Sequence, residues 1–213
     1  PHQTVPIQQD HRKGSGERGL ILRELALHIL DIAENCISAG ASTVRIAVNE
    51  NIQEDELWIT IEDNGKGMDA ELLENVMNPF VTSRSERKVG LGIPMLKQAA
   101  EACEGFLEID SEPGKGTKIT AKFRHSHIDR MPLGDLADSF LTLFFGTPEV
   151  NWVLDYQVND QTFHFDDTEV KQILDGVPLT DYRIIELLTA TVRGGIEKTF
   201  EIGSKQGVSY AQN

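Results

Sequence analysis

The chain has 213 residues, with 20 Lys and Arg against 34 Asp and Glu and a formal charge of −14. That length holds one ordinary domain with an appendage, or two small domains. The acidity argues against nucleic acid as the main ligand, because phosphate backbones are bound by an excess of Lys and Arg; one local cationic pocket stays compatible with it. The two cysteines, Cys36 and Cys103, stand in apolar contexts and form no CxxC, which argues against a disulfide scaffold or a cysteine zinc site and predicts reduced core thiols. No apolar run reaches the length of a membrane span, and the polar first residues lack the apolar stretch of a signal peptide, so a cytoplasmic protein is expected.

Residues 1–18 are polar and read as a flexible lead. From Leu20 to Ser38 the pattern is helical: Leu22, Leu25, Ala26, Ile29, Ile32, Ala33, Cys36 and Ile37 share one arc, and Glu24, His28, Asp31, Asn35 and Ser38 the other. Gly40 ends that helix. Thr43–Glu50 and Leu57–Asp63 alternate and predict an antiparallel hairpin. A short helix over 69–77, a charged loop over 78–89 and a strong helix over 93–103 follow, the last with Pro94 tolerated in its first turn. Strands over 106–112 and 117–124 flank a turn at 113–116. This order predicts an α/β sandwich, a mixed sheet covered on one face by helices.

Beyond a boundary near His125–Met131 the sequence predicts a small α+β region. It has a helix over 133–145, a hairpin of 152–158 and 162–165, and helices over 168–174 and 181–193. Trp152, Tyr156, Phe163 and Phe165 fall at core-facing strand spacing, and His164 alternates away toward solvent. From about Lys198 the chain turns polar and reads as a poorly ordered tail. The expected division is 1–18, 19–126, 127–197 and 198–213.

Gly14, Gly16 and Gly19 spell GxGxxG, but no strand precedes them, so they make no dinucleotide site. No GxxxxGK[ST] occurs either. Four other segments carry the chemistry. Asp31 and Asn35, four apart on the first helix, project from one polar face and can share a hydrated cation or orient a water, unless that face is merely solvated. Asp63-Asn64-Gly65-Lys66-Gly67-Met68 follows a strand. A carboxylate there can accept a hydrogen bond from an exocyclic amine, and the glycines let a flat ring approach; a plain glycine turn is the alternative. Arg84, Arg87 and Lys88 cluster before Gly90-Leu91-Gly92, which opens a helix whose free N–H groups suit an anion; the alternative is a solvated loop. Gly114-Lys115-Gly116-Thr117 is a hairpin turn whose threonine can hydrogen-bond a base.

In this order the segments resemble the GHKL superfamily of gyrase, heat-shock chaperone, histidine kinase and MutL ATPases. HILDIAENCISAGA resembles its N box, DNGKGM its G1 box, PFVTSR its F box, VGLGIPMLK its G2 box and GKGT its last glycine motif. The resemblance covers residues 20–124 and implies a Bergerat-type ATP site. It implies Asp63 on the adenine amine, with Gly65, Gly67, Met68 and Thr117 around the ring, and Asn35 as the Mg²⁺ ligand. Gly90, Leu91 and Gly92 would donate to the phosphates, and Phe80, Thr82, Ser83, Arg84 and Lys88 would belong to a mobile lid. In the MutL and gyrase branch a Glu four residues before the asparagine activates water. Here that position is Asp31, one methylene shorter, and Glu34 is the second candidate.

The kinase branch carries a phosphoacceptor helical hairpin upstream, for which the residues before the N box are too few. His28, inside the N-box helix, is no such acceptor and reads as a pocket-edge or solvated residue. The boxes most resemble short, stand-alone histidine-kinase-like ATP-binding proteins of bacteria, some of them associated with redox systems. The expectation is a Mg²⁺-dependent ATP-binding protein that phosphorylates a separate partner, a phosphoacceptor or redox-system component, or hydrolyses ATP. A non-catalytic ATP sensor acting by lid closure is the alternative, and a MutL-like dimerising ATPase the weaker one. Homodimerisation stays open.

Overall fold

Six strands form one mixed sheet in a computed structural model that describes residues 24–77, 92–174 and 177–206. The expected lead over 1–18 and the charged loop over 78–89 lie outside the described residues. The elements run α1 (Leu25–Ser38), β1 (Thr43–Asn51), β2 (Glu56–Asp63), α2 (Ala70–Val76), α3 (Gly92–Ala102), β3 (Phe106–Glu112) and β4 (Gly116–Arg124). They continue with α4 (Leu136–Gly146), β5 (Asn151–Val158), β6 (Gln161–Asp166), α5 (Asp167–Leu174) and α6 (Tyr182–Gln206).

Alternation decides which side of the sheet is covered. Val44, Ile46 and Val48 of β1, Leu57, Ile59 and Ile61 of β2, and Ile119, Ala121 and Phe123 of β4 are buried under the helices. Their neighbours Arg45, Asn49, Trp58, Thr60 and Lys122 line the opposite, polar face. On the helical side, α1 contributes Leu25, Ile29, Ile32 and Cys36, and α3 contributes Leu96 and Ala100. At about 25 cal/mol per Å² of apolar area, such wholly buried Leu and Ile side chains contribute about 1.5–3 kcal/mol each. Gly40 takes φ +78° and donates from its N–H to Ile37 O at 2.9 Å, which closes α1 with a left-handed residue as expected.

The sheet order is β3-β4-β2-β1-β5-β6, antiparallel except where β5 runs parallel to β1. The C-terminal hairpin is therefore continuous with the main sheet. β1 has an apolar face along its whole length, and leaving its second edge open would expose a template for aggregation. β5 closes that edge, with Val44 opposite Trp152, Ile46 opposite Leu154 and Val48 opposite Tyr156. α4 packs on α1, and Phe165 meets Phe140 and Phe144 edge-on at centroid distances of 5.5 and 5.6 Å. Trp152, Tyr156 and Phe165 are buried, and His164 is exposed on the other face, bonded to Asp155 Oδ1 at 2.7 Å.

α6 corrects the expected tail. It runs to Gln206, well past Lys198. Thr199 is buried, and a Cβ on Gly203 would overlap the Val158 carbonyl, so the helix lies close on β5. Asn159, buried in the β5–β6 turn, donates to Gly203 O at 2.9 Å and accepts from Ile52 N at 2.9 Å. No helix among the described residues is long and apolar enough to cross a membrane.

Candidate functional site

The end of β2 and the start of β4 meet at one register pair, Asp63 opposite Thr117. Asp63 is buried, and its Oδ1 accepts from Gly65 N at 2.7 Å, which holds the carboxylate at the strand tip. Cys36 of α1 lies against that carboxylate: burial first, and then the Asp63 charge and a hydrogen bond to it, push the thiol pKa well up. The thiol therefore stays protonated, as a reduced core cysteine. Cys36 and Cys103 are both free and buried.

The turn after Asp63 is fixed on both sides. Asn64 Oδ1 accepts from Ser42 N and Thr43 N, each at 2.9 Å, and its Nδ2 donates to Ser42 Oγ at 2.9 Å. Lys66 N donates to Ala39 O at 3.1 Å, and Gly114 N donates to Lys66 O at 2.7 Å. Two glycines at this junction face protein rather than open space. Gly67 has φ +63°, and a Cβ there would overlap the Glu112 carbonyl; Gly116 has φ +107°, and a Cβ there would overlap the Asp63 carbonyl. Backbone thus packs on backbone between this turn and the β3–β4 hairpin, which any larger residue would part.

Ser111 completes the junction. Its hydroxyl accepts from Met68 N at 2.9 Å and donates to Gly116 O at 3.0 Å, with Thr117 Oγ1 at 2.9 Å. Sequence reasoning missed Ser111 and Asn64. The signals were a hydroxyl directly across the ladder from Thr117 and an asparagine just after a strand, where its side chain can bond backbone N–H groups. A cavity of about 190 Å³ opens here, lined by Asp63, Ser111, Gly116 and Thr117 among others. A larger hollow of about 560 Å³ lies on the polar sheet face around Arg45, Trp58 and His164, and none of the described motif residues lines it.

α1 also carries the second half of the constellation. Asp31 and Asn35 are half-buried on its polar side, while Glu34 is exposed. A Cβ on Gly92, the first residue of α3, would overlap the Asp31 carboxylate, so α3 begins directly against Asp31. Pro94 is buried in the first turn of α3. Asp63 is thus attached to α1 at Cys36 and Gly92 at Asp31, points about 7.5 Å apart along the helix at 1.5 Å per residue. Asp31 and Asn35 stand on this length of α1, with Gly92 against Asp31, while Gly65, Gly67, Met68 and Thr117 gather around Asp63 and the β3–β4 hairpin. Phe80, Thr82, Ser83, Arg84, Lys88, Gly90 and Leu91 lie outside the described residues.

His28 corrects an expectation. It is not solvated: it is 1% exposed, on the part of α1 that meets the start of α3. Burial lowers its pKa, outweighing the Asp31 charge and the Gly92 backbone, both of which favour the protonated ring. No group of three or more His, Cys, Asp or Glu suited to a metal occurs among the described residues.

The family described as "Histidine kinase-, DNA gyrase B-, and HSP90-like ATPase" matches residues 19–127. Sporulation kinase D of Bacillus subtilis is 30% identical over 92 residues, covering 43% of this chain and 18% of that protein. The signal transduction histidine-protein kinase AtoS of Escherichia coli is 32% identical over 100 residues, covering 47% of this chain and 16% of that one. The chain thus spans less than a fifth of the length of these curated relatives. The solved Aquifex aeolicus MutL ATPase domain complexed with ADP aligns with a TM-score of 0.42 and 15% identity, covering 64% of this chain and 61% of that one.

Proposed function

The chain belongs to the histidine kinase-, DNA gyrase B- and HSP90-like ATPases, and on that premise we propose that it binds Mg²⁺-ATP and passes the γ-phosphoryl group to a separate protein or to water. The observation that carries the reading is the seating of Asp63 and Gly92 on one helix, α1. Asp63 accepts a hydrogen bond from the adenine amine, with Thr117 beside it. Guanine presents an oxygen at that position and is refused. Gly65, Gly67 and Met68 wall the ring, and Gly90, Leu91 and Gly92 donate backbone N–H groups to the phosphates at the start of α3. Phe80, Thr82, Ser83, Arg84 and Lys88 form the lid.

The donor set fits Mg²⁺. Asn35 is half-buried one turn from Asp31 on the same face, and a magnesium ion needs few protein oxygens because it keeps waters and phosphate oxygens. Asn35 is the residue that would hold it, and the ion supplies charge neutralisation on the phosphates. In the reaction the bond between the γ-phosphorus and the bridging oxygen breaks, ADP leaves, and phosphorus joins the incoming nucleophile. When that nucleophile is water, Asp31 takes its proton, with Glu34 the second choice.

The test is the affinity of Asp63→Asn for Mg²⁺-ATP by titration calorimetry. Loss of a charge-assisted hydrogen bond predicts affinity about 10- to 100-fold weaker. Near-native affinity would sink the site. A second reading, an ATP sensor without turnover, draws on Asp31 being turned against Gly92. Radiolabelled ATP separates the two: phosphate release or labelling of a partner supports transfer, and binding with neither supports the sensor.

A further inference from the structure

Position 28 of α1 pays for a side chain that packing does not ask for. Its neighbours on the buried side, Leu25, Ile29 and Ile32, are apolar, and each is no more than 1% exposed. His28 is buried to the same degree, yet its Nδ1 has no hydrogen-bond partner among the described residues. A buried polar atom left unpaired is destabilising, and a leucine there would avoid that cost. Among the described residues, two polar groups act on the ring. One is the Asp31 carboxylate, three residues along the helix; the other is the backbone of Gly92. Those two are themselves in contact, since the carboxylate fills the space beside Gly92. His28, Asp31 and Gly92 thus form one compact group where the polar face of α1 meets the first turn of α3.

We infer that His28 is a positioning residue for phosphoryl transfer: buried where α1 meets α3, it holds the Asp31 carboxylate in place against the start of α3. The inference rests on the reading of Asp31 and Gly92 as the phosphate end of the ATP site. Residues three apart on a helix are neighbours, and a carboxylate there can take more than one rotamer; the buried ring restricts Asp31 to the rotamer that meets Gly92. A positioning role of this kind acts on the rate of transfer, because a misplacement of about 1 Å is enough to slow an aligned reaction on the order of a hundredfold.

The experiment compares the full chain with its His28→Leu and His28→Gln variants, reading ATP affinity, thermal stability, and kcat and KM for phosphate release from Mg²⁺-ATP. His28→Leu is expected to be at least as stable as the parent, because the unpaired nitrogen is gone, and to bind ATP within about threefold of it while kcat falls at least about tenfold. His28→Gln, which keeps a polar group of similar reach, is expected to fall between the two. Parental kcat in either variant overturns the inference. So does a loss confined to KM and stability, which is what packing alone would give. If His28→Leu does not fold, His28→Gln decides: lowered kcat at unchanged KM supports the role, and unchanged kcat overturns it. The Asp63→Asn control keeps the failures apart. Retained ATP affinity there removes the site itself, whereas Asp63-dependent binding by a parent chain that releases no phosphate overturns only the role of His28.

Discussion

The carboxylate of Asp31 occupies the space that a side chain on Gly92 would require. The glycine at the start of α3 therefore has a reason of its own beyond its proposed role at the phosphates: α1 and α3 approach too closely there for a Cβ. Gly92→Ala should destabilise the protein by about 1–3 kcal/mol, the usual cost of overpacking. The same change in an Asp31→Ala background should be neutral or slightly stabilising, because alanine is the better helix former once the clash is gone. A double-mutant cycle by denaturant unfolding measures the coupling, and additive effects would show that the two residues are not fitted to each other.

Ser111 supports three backbone and side-chain groups with one hydroxyl. Ser111→Ala leaves the Met68 N–H without its acceptor and should lower stability by about 1–2 kcal/mol. It should also weaken ATP binding several-fold, since Thr117 loses the partner that orients it. Equal ATP affinity in the variant and the parent would confine Ser111 to the fold.

Glu50, buried at the end of β1, gives a pH signature. Burial pushes its carboxyl up, but hydrogen bonds from His125 and Tyr156 and the nearby charges of His125 and Arg130 outweigh it, so the group sits below its ordinary 4.5. A carboxyl whose folded pKa is depressed binds fewer protons folded than unfolded. Its contribution is whole above the unfolded value of 4.5 and is lost as the pH falls through the lower folded value. Thermal unfolding from pH 7 to pH 3 should thus show a falling midpoint below about pH 4.5 that is shallower in Glu50→Gln. The variant should also be less stable at pH 7, by about 1.5–3 kcal/mol for the charged hydrogen bonds from His125 and Tyr156. Parallel curves for both proteins would remove Glu50 as the titrating group.

Residues 24–77 and 92–124 were legible because their two periods are clean. The arcs of α1 and the alternation of β1, β2 and β4 each put their apolar residues on one side, and the structure buries those sides. His28 was misplaced because periodicity along one helix cannot know that a second helix, α3, begins over its polar face. The partner of β5 was hidden for a related reason: alternation marks a strand but does not say which edge it joins. α6 was cut short because the chain turns polar from about Lys198. In the fold, Gly195 lies against Phe163 and Gly203 against Val158, so glycines rather than large apolar residues bring this part of the helix close to the sheet. At the candidate site the glycine motifs were visible, but the reason for Gly67 and Gly116, each pressed on the other segment's backbone, required the fold.

The parallel pairing of β1 with β5 bears on how the protein is made. Val48 must wait for Tyr156, which the ribosome delivers more than a hundred residues later. At about 5–20 residues per second that is roughly 5–20 s during which a hydrophobic strand has one flank unoccupied. The nascent chain is therefore exposed to chaperones and to its own neighbours on the polysome for longer than the short hairpins of its first half would suggest.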